Sequence, residues 1–141
     1  MAFLFDTDAV SEALKRRPEP AYIEWLARVP RDVQYASAVT IGEMYRGAFR
    51  TNDRRHLVNI EERVLTTITV LPYDIAVARV YGDLYAQLAA SNSLIADADL
   101  QIAATAVHHG LRLVTGNLKH FARVPGLLVE RILGAVKTTR P

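Results

Sequence analysis

The sequence predicts an α/β protein: a parallel sheet of four or five strands with helices on both faces, in a three-layer α/β/α arrangement. Short apolar or β-branched runs alternate with stretches of helical periodicity along the whole chain. At 141 residues one domain is expected, and 50% hydrophobic residues supply a full core. Cysteine is absent, which excludes disulfide scaffolds and thiolate-based metal or redox chemistry.

Residues 2–5, Ala-Phe-Leu-Phe, read as a buried strand that ends at Asp6. Asp8 is expected to cap a helix over 9–15, and Arg16-Arg17-Pro18-Glu19-Pro20 breaks it. A second helix over 21–29 carries Tyr22, Trp25 and Leu26 at helical spacing, and Pro30 stops it. Residues 34–39 form a second strand, after which Thr40 opens a helix to about Arg50. Beyond Asn52-Asp53, Leu57, Ile60 and Val64 mark an amphipathic helix. The β-branched run 67–71 is a third strand, ended by Pro72. Val77, Tyr81, Leu84 and Leu88 define one face of a longer helix from near Asp74, and Ser91-Asn92-Ser93 is a loop. Residues 98–108 are apolar on more than one face and predict a buried helix, with Asp97 as its cap and Gly110 at its end. A fourth strand (112–115), a helical turn (118–121) and a fifth strand (127–129) complete a domain of residues 1–133. Residues 134–141 are expected to be a flexible tail.

Seventeen Lys and Arg against fifteen Asp and Glu leave a formal charge of +2. Such a surface tolerates an anionic partner without being densely basic. The longest uncharged run, 84–96, spans 13 residues and is interrupted by Gln87, Ser91, Asn92 and Ser93. A membrane helix needs about 20 apolar residues. No basic start precedes a long apolar stretch, so a cytoplasmic protein without a signal peptide is expected.

In an open parallel sheet, ligands bind beyond the carboxyl ends of the strands. Asp6 follows the first strand, Glu43 lies one turn into the helix after the second, and Asp99 lies in the first turn of the buried helix. Asn117 and Thr115 stand at the end of the fourth strand. Carboxylates gathered at one edge repel one another unless a cation sits between them. Oxygen ligands without Cys or His select hard ions such as Mg²⁺ or Mn²⁺. Local readings compete with this one: Thr40 and Glu43 match a capping box, and a helix N-terminus stabilises an acid such as Asp99. That stabilisation, about 0.3–1 kcal/mol, is small against the several kcal/mol of burying an ion. Arg46, Arg50, Arg54, Arg55 and Arg63 follow Glu43 closely, and guanidinium groups suit phosphate recognition.

Four segments together resemble the PIN-domain ribonucleases, in particular the VapC-type toxins of toxin–antitoxin pairs. They are Phe3-Leu4-Phe5-Asp6-Thr7-Asp8, Ser37-Ala38-Val39-Thr40-Ile41-Gly42-Glu43 with Gly47 after it, Asp99-Leu100-Gln101-Ile102-Ala103-Ala104-Thr105-Ala106, and Leu113-Val114-Thr115-Gly116-Asn117 with Phe121. The resemblance implies a Mg²⁺- or Mn²⁺-dependent endoribonuclease that cuts RNA by water attack. It implies Asp6 and Asp99 as direct metal ligands, and Glu43 bound through water or orienting the nucleophile. Asn117 and Thr115 would support the site; Arg46 and Arg50, close in sequence to Glu43, are the expected RNA contacts by their own chemistry. The resemblance also implies a VapB-type antitoxin and a homodimer, to which helix faces near Tyr22, Trp25 and Tyr45 would contribute.

The chain departs from the family pattern in three places. Asp8 stands where Asn is usual, Gly116 where Arg is common, and His120 where many relatives carry a fourth acid. The last leaves the site less negative and bears on whether one ion or two would bind. Two other readings fit parts of the sequence. Asp6-Thr7-Asp8 also matches the opening of haloacid-dehalogenase-type phosphatases, but no Lys stands in a suitable place. A non-catalytic PIN domain that only binds RNA or protein is the second alternative.

Overall fold

The structure is a computed structural model describing residues 1–139, with side chains through 135. Five short strands form one sheet: β1 (Phe3–Phe5), β2 (Gln34–Ser37), β3 (Thr69–Leu71), β4 (Arg112–Val114) and β5 (Leu128–Glu130). Their order is β3-β2-β1-β4-β5 and every pairing is parallel. Side chains alternate across a strand, so Phe3 and Phe5 enter the core on one face of the sheet while Leu4 enters the other. With both faces covered, the central strands need to be apolar throughout, and Phe3, Leu4 and Phe5 are all buried.

Helices α5 (Ile75–Ala90) and α6 (Asp97–His109) pack on each other and on the Leu4 face, burying Val77, Leu84, Leu88, Leu100 and Ile102. The opposite face is covered by α1 (Thr7–Leu14), α2 (Pro20–Leu26) and α8 (Ile132–Thr139). There Val10, Tyr22 and Leu133 bury against Phe3 and Phe5. Trp25 meets Phe3 edge-on, with ring centroids 5.2 Å apart. Tyr22 is wholly buried and donates its hydroxyl to the Ala9 carbonyl, so it is not available to a second copy of the chain. Helix α3 (Ala38–Thr51) touches both α1 and α6 and so reaches both layers.

Several element starts differ from expectation because the capping group is a different residue. Asp6, not Asp8, caps α1: its Oδ1 accepts the Ala9 N–H at 2.8 Å. Ser37 caps α3 by accepting the Val39 N–H at 3.0 Å, three residues before the Thr40 that the sequence suggests, and the Thr40–Glu43 capping box does not form. Asp97 lies inside α6, whose cap position is Ala96, and instead accepts the Tyr81 hydroxyl at 2.6 Å. The amphipathic helix around Ile60 is two pieces, α4 (Arg54–Val58) and a π-helical segment Asn59–Val64, whose wider turn buries both Ile60 and Val64.

The expected tail is largely helical. Helix α8 runs through Thr139 and packs on α2, and a Cβ at Gly134 would strike the Leu118 side chain of the short α7 (Leu118–Phe121). Residues 140 and 141 lie outside the described residues. Among the described residues no helix is long and apolar enough to cross a membrane.

Candidate active site

Parallel strands end along one edge, and the residues just past them face a shared space. Asp6, Glu43 and Asp99, 93 positions apart at the extremes, line one cavity of about 400 Å³ there, together with Thr7, Asp8, Gly116, Asn117 and Phe121. Each acid reaches it from a different element.

Asp6 sits where β1 becomes α1. Its N–H still belongs to the sheet, donating to the Val114 carbonyl at 3.1 Å, while its side chain already belongs to the helix cap. Only 4% of the residue is exposed. Burial pushes its carboxyl up to about 7, against hydrogen bonds from Thr115 and the Ala9 N–H that pull it down, and the charges of Asp8 and Asp99 push it further up. Thr115 is fully buried, and its Oγ1 accepts the Asn117 N–H at 3.0 Å. Asn117 in turn caps α7 by accepting the His120 N–H.

Asp99 stands in the first turn of α6. Burial raises its carboxyl, His120 lowers it, and Glu43 raises it. His120 places Nδ1 3.2 Å from Asp99 Oδ2. Glu43, one turn and a half into α3, accepts the Thr7 hydroxyl at 2.5 Å and faces Arg46 at 3.7 Å. Arg46 is 75% exposed, and Arg50 lies exposed in the last turn of the same helix. The other arginines are placed differently. Arg55 forks onto Asp53, and Arg63 lines a cavity between α1, α2 and residues 62–68.

The PIN domain family model matches residues 3–127. The chain belongs to the PIN-domain family. Among its relatives, a ribonuclease VapC of Haemophilus influenzae is 33% identical over 132 residues, covering 92% of this chain and 97% of the relative. The toxin FitB of Neisseria gonorrhoeae is 32% identical over 124 residues, covering 84% of this chain and 89% of the relative. Among solved structures, DNA-bound VapBC from Salmonella typhimurium superposes with a TM-score of 0.81 at 28% identity, covering 92% of this chain and 97% of that one.

Within this PIN domain, no three His, Asp or Glu side chains among the described residues form a group that could hold a metal ion as they stand. Glu43 is turned to Thr7 and Arg46, and Asp99 to His120. The donor set nevertheless fits a hard cation. Mg²⁺ keeps several waters and takes only one or two protein carboxylates, and Asp6 and Asp99 offer oxygen ligands at one cavity. Asp6 is a buried acid whose nearest charged neighbours are also acids, an arrangement that a cation would relieve.

Sequence reasoning took Asp8 for a cap and left Thr7 without a role. Their signal was present in the Asp-Thr-Asp run, where Asp6 as cap turns both following side chains toward the cavity. The contact between His120 and Asp99 had no local signal, since it depends on α6 and α7 meeting in space.

Proposed function

We propose that this PIN domain is a Mg²⁺- or Mn²⁺-dependent endoribonuclease toxin held inactive by a cognate antitoxin. The observation that carries the reading is the single cavity lined by Asp6, Asp8, Glu43 and Asp99 at the carboxyl edge of the sheet. The ribonuclease and toxin names of its relatives, and the VapBC assembly of its structural neighbour, support the activity and the partner.

Asp6 and Asp99 are the residues that would hold the cation. When bound, such an ion supplies charge neutralisation at phosphorus and a lowered pKa for attacking water. The chain's own residues do the rest. Glu43, held by the Thr7 hydroxyl in the cavity lining, is the carboxylate that would orient water and take its proton. Thr115 and the Ala9 N–H hold Asp6 in one rotamer. Asn117 holds the start of α7, and with it His120, against Asp99. Arg46 and Arg50 offer the guanidinium groups that receive backbone phosphates. Homodimer formation and a cytoplasmic location belong to the same proposal and rest on the resemblance.

The test is cleavage of single-stranded RNA with and without Mg²⁺ or Mn²⁺, followed by sequencing of the RNA ends, beside an Asp6→Asn control. Metal-dependent ends that vanish in the control support the reading. RNA binding without cleavage favours the non-catalytic alternative. Phosphate-monoester hydrolysis with covalent labelling of Asp6 would favour the phosphatase.

A further inference from the structure

A second cavity, of about 420 Å³, lies between α1, α3, α4 and the π-helical segment. Thr7 and Glu43 line both this cavity and the acidic one, so the two spaces adjoin. We propose that the second cavity receives a nucleobase of the RNA next to the phosphate that is cut. This rests on the ribonuclease reading and adds base selection to it.

The walls and the rim suit such a group. Leu14, Met44 and Ile60 give an apolar slot, and a thioether packs favourably against an aromatic ring. His56 and Asn59 bring polar atoms to the same slot. Asn59 directs its side-chain oxygen to Arg63 at 3.4 Å, which leaves its NH₂ to donate to a base edge. The volume falls in the range of small-ligand sites, about 300–1,000 Å³. Sequence-specific RNA recognition targets unstacked bases held in this way. The wall shared with the acidic cavity favours RNA over an unconnected small molecule, because a strand with its phosphate at the carboxylates reaches both spaces.

The cavity also has a position from which it can be filled. At Gly47, in its lining, an added Cβ meets nothing within 4 Å. Leu is a better helix former than Gly, so Gly47→Leu keeps α3 and projects into the slot.

The experiment uses the full chain with Mn²⁺ and a randomised single-stranded RNA pool, reading the cut sites by sequencing and KM by initial rates. Wild type is expected to favour one nucleotide beside the cut. Gly47→Leu is expected to raise KM by about tenfold or more and to flatten that preference, with Mn²⁺ binding in the absence of RNA unchanged. Asn59→Ala is expected to shift the preferred nucleotide with an unaltered melting temperature. Unchanged KM and base preference in Gly47→Leu overturn the inference while leaving the ribonuclease reading intact. Loss of antitoxin binding in Gly47→Leu with RNA kinetics unaltered also overturns it, and assigns the cavity to the protein partner. Absence of cleavage by wild type overturns both readings.

Discussion

Replacing Asp6 with Asn should make the metal-free protein more stable while removing its activity. The magnitude follows from the acid's surroundings. Its carboxyl is pushed from 3.8 to about 7 by burial, with Asp8 and Asp99 adding to the effect. At about 1.4 kcal/mol per pH unit, holding that charge in the folded state costs about 4 kcal/mol. Between pH 4 and 7 the folded protein binds the proton more tightly than the unfolded chain does. Stability is therefore fully present below about pH 4 and lost as pH rises toward 7. Asn keeps the cap on α1, because its Oδ1 can accept the Ala9 N–H and Asn and Asp cap equally well. Urea unfolding in EDTA, followed by circular dichroism, should show the variant ahead of wild type by up to about 4 kcal/mol at pH 8 and level with it near pH 4. Saturating Mg²⁺ or Mn²⁺ should then stabilise wild type at pH 8 and leave the variant unchanged, since only a ligand bound to the folded state shifts the equilibrium. A variant that is less stable at pH 8, or whose pH profile runs parallel to wild type, would refute the account of Asp6 as an uncompensated buried acid.

Asp99→Ala should lower RNA cleavage by about a hundredfold or more while circular dichroism and capture of the antitoxin stay as in wild type. Gly134→Ala should cost about 1–3 kcal/mol in thermal unfolding, because the new methyl meets Leu118; a second change, Leu118→Ala, should return part of it. Glu12→Ala should cost about 1–3 kcal/mol by removing the buried carboxylate that accepts the Lys15 ammonium at 2.9 Å and the Glu19 N–H at 3.0 Å. Urea unfolding of Glu12→Gln, which still presents an acceptor to Glu19, should fall between Glu12→Ala and wild type.

The elements easiest to read were those buried on every side. β1 is an unbroken apolar run because it is covered on both faces, and α6 carries a fully buried stretch from Ile102 to Ala106; the expected strand and helix match them closely. Element starts were harder, since two acids in Asp6-Thr7-Asp8 satisfy the same capping preference. The backbone decides between them: Asp6 is still extended, with ψ at 177°, and still bonded to β4, so it can only be the cap. β3 starts at Thr69 instead of 67 because Thr66 and Thr67 direct their hydroxyls to the carbonyls of Glu62 and Arg63, prolonging the preceding helical turn. The carboxylates that line the acidic cavity could be placed at one edge by taking the sheet to be parallel, because each follows or lies near the carboxyl end of a strand or the start of a helix. The partners that hold them could not: Thr7 and His120 reach Glu43 and Asp99 through packing between helices distant in sequence.

The outermost strands, β3 and β5, are three residues each. A foreign strand laid along either would gain too few backbone bonds to repay its ordering. The sheet is in this sense closed to zipper-like recruitment and to self-templated stacking. A partner that grips this fold through helices and loops can be loosened by surface substitutions that leave the strands untouched.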